Sequence, residues 1–88
     1  MAVLHLVNRT PALADCLARA APEDAILLLE NGVYGAVAGA APDRPVHALS
    51  VDVTARGLEG RLGPSVTVVD DAGFVAMVEA HTPVVTWR

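Results

Sequence analysis

The chain has 88 residues, a formal net charge of −4 and a hydrophobic fraction of 53%. Its charges are scattered, which argues against direct nucleic-acid binding, since that needs a clustered basic face. The chain has no unbroken run of about 18 apolar residues, so no membrane span is predicted. One cysteine cannot form an internal disulfide, and the broken apolar run at the N-terminus is not typical of a secretory signal, so we expect a cytoplasmic protein.

The first half of the chain alternates aliphatic runs with longer periodic ones. Residues 3–7 predict a strand, and residues 11–21 predict a helix whose free amides Thr10 caps. The unbroken aliphatic run in "DAILLLE" indicates a strand buried on both faces of a parallel sheet. The segment "VYGAVAGAA" then predicts a short helix, weakened by two glycines.

The second half continues the same alternation. "RPVHALS", "GPSVTVVD" and "PVVTW" predict strands, and "VDVTARGLEG" predicts a short helix that ends at Gly57 in the left-handed conformation. "DAGFVAMVEAH" predicts a helix that starts behind a cap at Asp70 or Asp71. The positions that its spacing buries are Phe74, Met77, Val78 and, at its end, His81.

The alternation of strands and helices predicts the fold class. We expect a single α/β domain over residues 1–88, with an open, mostly parallel five-stranded sheet and helices on both faces. Ligands of such sheets gather at the carboxyl ends of the strands. The turn Glu30-Asn31-Gly32 follows a strand, so it is expected on this functional rim, with Gly32 supplying backbone freedom.

The composition also predicts an oligomer. Aromatic residues make up only 3% of the chain, so the large apolar fraction is mainly aliphatic. A chain of this size buries only about 60–65% of the surface that its unfolded form exposes. The surplus apolar area is expected in subunit interfaces.

Cys16 is the only cysteine of the chain, and its thiol is the strongest nucleophile among the side chains. It falls at helical spacing with Leu13, Leu17 and Ala20, on or beside an apolar stripe. A cysteine there acts either as a small buried hydrophobic residue or as a reactive thiolate, which Arg19 would favour. Spacing leaves both interpretations open.

Other polar and aromatic residues also have two interpretations. His5 and His47 would form a metal or acid-base pair if their strands were neighbours, although ordinary packing is the commoner role, and we expect no metal site. Tyr34, Arg56 and Trp87 are of the residue types that anchor interfaces, and each also has a packing explanation.

Four segments, in this order, carry a resemblance to a known family: "LHLVNRTP", "DAILLLENGVYGAVAG", "VHALSVDVTARGL" and "VVDDAGFVAMVEAHTPVVTW". Together they resemble the DsrH/TusB family. The resemblance implies a small cytoplasmic subunit of the DsrE/DsrF-like fold within a sulfur-relay complex. Such complexes pass persulfide sulfur toward thiolation of the tRNA wobble uridine or, in sulfur oxidisers, exchange it with a DsrC-type carrier.

The resemblance also implies partners and a role for Cys16. The expected partners are DsrE/TusD-like and DsrF/TusC-like sister subunits and a DsrC/TusE-like sulfur carrier, with no cofactor. "CLARA" places Cys16 where sulfur-oxidiser members have a cysteine followed by leucine, whereas many TusB-type members have none. Three hypotheses remain: a sulfurtransferase subunit with Cys16 as persulfide carrier, a non-catalytic scaffold subunit, or a stand-alone homo-oligomeric binding module.

Overall fold

A computed structural model describes residues 2–88. Within them, five strands alternate with four helices, in the predicted order. The strands are β1 (Leu4–Val7), β2 (Ala25–Leu28), β3 (Val46–Leu49), β4 (Val66–Val69) and β5 (Val84–Trp87). The helices are α1 (Thr10–Arg19), a 3₁₀ helix (Glu30–Ala36), α2 (Ser50–Ala55) and α3 (Asp71–Ala80).

The five strands form one sheet in the order β4-β3-β2-β1-β5. Every pairing is parallel, with Leu4 opposite both Ala25 of β2 and Val84 of β5. Right-handed crossovers place α1, the 3₁₀ helix and α2 on one face, because β1 to β4 step in one direction across the sheet. The return from β4 to β5 places α3 on the opposite face. The predicted α/β class, with helices on both faces of an open parallel sheet, is confirmed.

Alternating side chains of the strands divide the apolar residues between two faces. On the face covered by α1, here called the α1 face, a core cluster forms around Val7, Ile26 and Leu28. On the other face, called the α3 face, Leu4 and Leu27 are fully buried. The central strands therefore bury both faces, as the unbroken aliphatic run of β2 predicts.

The start of α1 differs from the prediction. Thr10 is the first helical residue, and Arg9 occupies the capping position with extended backbone (φ −153, ψ 145). A capping side chain must belong to that extended residue to reach the free amides, so Thr10 cannot act as the cap. Within the described chain the start of α1 has no side-chain cap. The predicted cap was wrong by one residue.

Glycines shape the segment after β2 differently from the prediction. The left-handed residue of the turn is Glu30 (φ 50), whereas Gly32 lies within the 3₁₀ helix. A Cβ atom at Gly32 would overlap the carbonyl oxygen of Val7. Gly32 is therefore needed for close approach of two backbones, and its predicted role in turn freedom was wrong. Gly57 (φ 66) does end α2 in the left-handed conformation, as predicted.

The helix α3 is placed as predicted but is not buried. The side chain of Asp70 accepts a hydrogen bond from the amide of Gly73 (2.8 Å), which confirms an acidic cap. None of the described residues of α3 is buried, and Val75 and Val78 are 55% and 39% exposed. The predicted burial holds only in part: Phe74, Met77 and His81 are partly buried, whereas Val78 is exposed. Apolar residues occur all round this helix, so their spacing does not select a single buried face.

The chain from residue 2 to residue 88 contains no helix with both the length and the apolar content that crossing a membrane requires.

The close approach at Gly32 gives a stability prediction. Gly32→Ala should lower the free energy of unfolding by about 2 kcal/mol, because the added methyl group must displace the end of β1. Urea denaturation followed by circular dichroism measures the change.

Gly60→Ala is the matched control, because a Cβ atom at Gly60 meets no atom of the described chain within 4 Å. Equal stability of the two variants would contradict the proposed backbone contact.

Candidate functional site

Cys16 lies in the core between α1 and the sheet. Its side chain is 0% exposed and belongs to the core cluster of the α1 face. Burial raises the pKa of the Cys16 thiol to about 11, partly offset by the charge of Arg44 and reinforced by that of Asp24. Because the thiolate is the nucleophilic form, the native position holds this cysteine in its unreactive form near neutral pH.

A second group of polar side chains joins β1, β5 and the loop before β2. The Trp87 indole N–H donates to His5 Nδ1 (2.9 Å), and His5 Nε2 lies 2.9 Å from Asp24 Oδ2. An indole nitrogen only donates, so His5 Nδ1 must accept, and Nε2 carries the hydrogen that it donates to Asp24. His5 is 6% exposed, and the Asp24 side chain is 8% exposed.

Asp24 organises the loop between α1 and β2. Its two oxygens also accept from the amides of Val3 (3.0 Å) and Ala21 (3.0 Å). The hydrogen bond from His5, followed by those two amide bonds, lowers the pKa of Asp24 to about 2. Hydrogen bonds to a carboxylate favour its charged form, so Asp24 is ionised throughout the neutral range.

Two arginines surround this group. Arg44 donates to the carbonyl oxygens of Ala21 (3.0 Å) and Asp24 (2.8 Å). The guanidinium carbon of Arg19 lies 6.0 Å from the centre of the Trp87 ring, at the outer limit of a cation–π contact. We call His5, Asp24, Arg44 and Trp87 the buried network.

The geometry does not provide a base for Cys16. Both ring nitrogens of His5 are already occupied, by Trp87 and by Asp24, so no lone pair remains to accept a thiol proton. The condition for a pair of His5 and His47 is not met, because β2 lies between their strands. Their places in the register also put the two side chains on opposite faces. His47 Nδ1 is buried without a hydrogen-bond partner in the described chain.

The turn after β2 lies at the carboxyl end of the sheet, as predicted. The amide of Glu30 donates to Asp52 Oδ2 (2.7 Å), which ties the turn to α2. Arg56 donates through Nε (3.1 Å) and a terminal nitrogen (3.0 Å) to Asn31 Oδ1. Another terminal nitrogen of Arg56 lies 3.4 Å from Asp52 Oδ1. We call Glu30, Asn31, Asp52 and Arg56 the rim brace.

The predicted site residues fall into two groups. Cys16 and Trp87 belong to the core side of the α1 face, whereas Arg56 joins the rim brace and Tyr34 stands 46% exposed on the 3₁₀ helix. Binding roles for Tyr34, Arg56 and Trp87 stay predictions. Among residues 2–88, no three His, Cys, Asp or Glu side chains converge as metal ligands.

Sequence reasoning missed Asp24, Arg44 and Asp52. The hydrogen bond between His5 and Asp24 joins residues that are 19 positions apart in the sequence. The hydrogen bond that the Glu30 amide donates to Asp52 joins residues 22 positions apart. Local spacing carries no signal for contacts of this range. Strand order and register would have found the first one, since His5 and Asp24 lie near the same end of paired strands.

Comparison with known proteins agrees with the four segments that carry the family resemblance. The family described as "DsrH like protein" matches residues 7–84. The chain belongs to the DsrH/TusB family. Protein TusB of Escherichia coli O1:K1, of Escherichia fergusonii and of Shigella sonnei is in each case 36% identical over 96 residues. These alignments cover 97% of this chain and 100% of each relative.

Family membership confirms the resemblance that the four sequence segments indicated. The alignment with these members spans 96 positions, more than the 88 residues of this chain. These relatives therefore contain residues that have no counterpart here.

The lowered pKa of Asp24 gives a prediction for stability against pH. A carboxyl whose folded pKa is about 2, against an ordinary 3.8, contributes stability that is complete above about pH 5 and is lost as the pH falls through 3.8 toward 2. Asp24→Asn should therefore be less stable than the wild type at pH 7, and the difference should shrink between about pH 5 and pH 2. Urea midpoints measured across this range test it.

Asp43→Asn, which changes an exposed carboxylate, is the control and should leave the pH profile unchanged. A gap between wild type and Asp24→Asn that stays constant down to pH 2 would show that the charge of Asp24 does not stabilise the fold.

Proposed function

We propose that this chain is a subunit of a cytoplasmic sulfur-relay complex, acting in thiolation of the tRNA wobble uridine or in oxidative sulfur metabolism. The observation that carries the proposal is its membership of the DsrH/TusB family along nearly the whole chain. The compact parallel sheet fits a subunit of the DsrE/DsrF-like fold.

Within that complex, we assign the chain a structural role. Sulfane-sulfur exchange requires a thiolate that a partner can reach. Cys16 is fully buried, burial raises the pKa of its thiol to about 11, and His5 has no free nitrogen with which to activate it. These observations favour a scaffold subunit that completes the assembly while other chains carry the sulfur.

The sister subunits, DsrE/TusD-like and DsrF/TusC-like, are the proposed partners. The helix α3 supports this assignment, because Val75 and Val78 lie one helical turn apart and are 55% and 39% exposed. Val84 and Val85 of the edge strand β5 are 39% and 36% exposed. An apolar helix with no buried residue among those described is expected to be covered in an assembly. Val84 lies opposite Leu4 in the register and so faces the same side of the sheet as α3, whereas Val85 faces the other side. We call Val75, Val78 and Val84 the apolar surface.

The docking proposal predicts the effect of a charge on α3. Val75→Asp should abolish co-purification with co-expressed sister subunits, because an uncompensated carboxylate cannot be buried in an apolar contact. Its own thermal unfolding should change little, since Val75 is 55% exposed.

Val51→Asp makes the same substitution at a valine of α2 that is 59% exposed. This control should co-purify normally. Loss of the complex in both variants, or in neither, would refute docking through α3. A homo-oligomer that binds no sister subunit would favour the stand-alone binding module.

The second candidate role is that Cys16 carries sulfur. In that reaction the Cys16 thiolate attacks the outer sulfur of a partner's persulfide, the partner's sulfur–sulfur bond breaks, and the partner's thiolate leaves. A persulfide then forms on Cys16. The position of Cys16 in the "CLARA" segment supports this role. The sulfur atom is buried, however, so α1 would have to move away from the sheet to expose it.

Intact mass distinguishes the two roles. After incubation with a persulfide donor, the scaffold role predicts that the folded chain, alone or in the complex, gains no sulfur atom. The same chain in urea should react, which shows that the thiol is competent once exposed. Cys16→Ser should stay unmodified in both conditions. Gain of one sulfur by the folded protein, absent from Cys16→Ser, would establish the carrier role instead.

A further inference from the structure

The strand β5 is attached to the molecule through its backbone ladder with β1 and through the side chain of Trp87. It lies at the edge of the sheet beside β1. Of its four residues, Val84, Val85 and Thr86 are exposed, and only Trp87 is partly buried. The Trp87 ring packs against the core cluster of the α1 face. Apart from the backbone ladder with β1, this side chain is therefore the main attachment of β5.

The hydrogen bond that holds the indole depends on the protonation state of His5. Trp87 Nε1 can only donate, and it donates to Nδ1 of His5 at 2.9 Å. A proton added at Nδ1 would replace the accepting lone pair by an N–H group, so that two donors would face one another. The other ring nitrogen would keep its bond to Asp24, since a protonated histidine still donates from Nε2.

The surroundings of His5 contain charges of both signs. The carboxylate of Asp24, from the loop before β2, lies 2.9 Å from Nε2 of His5. Arg44 contacts the same loop, and Arg19 of α1 lies over Trp87. Cys16, which faces the core from α1, is held as a neutral thiol. A proton added to His5 at Nδ1 would therefore keep the hydrogen bond to Asp24 and break the hydrogen bond to Trp87.

We propose that His5 and Trp87 form a proton-sensitive latch: protonation of His5 at Nδ1 releases the Trp87 indole and loosens the attachment of β5. The Asp24 side of the network stays intact, so the change is local to the edge strand. Val84, one member of the apolar surface, lies on that strand. If the apolar surface binds sister subunits, as proposed above, the latch links that binding to pH, but the latch itself does not depend on that function.

The single tryptophan of the chain provides the measurement. We titrate the purified full-length chain from pH 8 to pH 5, the range over which histidine side chains usually change charge. We expect the emission of Trp87 to shift to longer wavelength in a reversible one-proton transition, with greater quenching by acrylamide. Far-ultraviolet circular dichroism should stay constant, because the remaining sheet is retained.

Two histidine variants identify the group that titrates. His5→Gln keeps an acceptor and a donor but no titratable ring, so its emission should not respond to pH. His81→Gln is the matched control, since His81 bonds to the carbonyl oxygen of Met77 outside the buried network, and it should titrate as the wild type does. A transition that persists in His5→Gln, or an emission in the wild type that does not shift, would overturn the proposal.

A measurement on the wild type covers the case in which His5→Gln fails to fold. Nuclear magnetic resonance of the Trp87 indole proton gives a protection factor, the exchange rate of a free indole at the same pH divided by the measured rate. This factor should be high at pH 8 and should fall by pH 5. A protection factor that stays constant over this range would refute the latch. A fall in emission intensity without greater acrylamide quenching would also refute it, because it would mean quenching by the charged imidazole without release.

Discussion

Burial of both faces of the central strands is the constraint on which the rest of the structure depends. Parallel strands leave aliphatic side chains on each side, and each side needs its own cover. The crossovers supply three helices to the α1 face and α3 to the other. The core cluster accordingly lies on the α1 face, whereas Leu4 and Leu27 are buried on the α3 face and α3 leaves apolar side chains of its own in contact with solvent. This asymmetry, more than total hydrophobicity, is what makes partner subunits a reasonable proposal.

Much of this architecture could be predicted from local patterns. Short aliphatic runs bounded by polar turns identify strands, and regular alternation with helices implies parallel pairing, so the sheet and the position of the rim followed directly. Local patterns failed where a residue's role depends on a distant neighbour. Thr10 has the chemistry of a cap but lies one residue inside the helix, and Gly32 is required by the carbonyl of Val7 rather than by its own turn. The exposure of Val78 could not be read from spacing, because apolar residues occur on several sides of α3.

The two polar groups have different physical characters. The rim brace is built from partly exposed side chains that hold the left-handed Glu30 in place, and its ion pair between Asp52 and Arg56 is screened by solvent. In the buried network, by contrast, every hydrogen bond replaces water that burial has removed. Loss of one partner there leaves an unsatisfied group, which costs more than the hydrogen bond itself contributes. Side chains of the rim brace can therefore be replaced with little loss of stability. The buried network, in contrast, fixes both the tautomer of His5 and the path of the loop before β2.

Cys16 and the buried network share one side of the sheet, but burial, and not this proximity, makes the cysteine unreactive in the native fold. The charge of Arg44 lowers the pKa of the thiol more than the charge of Asp24 raises it, so the raised pKa comes from the removal of the sulfur from water. Exposure of the sulfur would require α1 to separate from the sheet and from the 3₁₀ helix, which disrupts the largest apolar cluster in the described chain. A subunit built in this way is better suited to shaping a partner's site than to carrying sulfur on its own thiol.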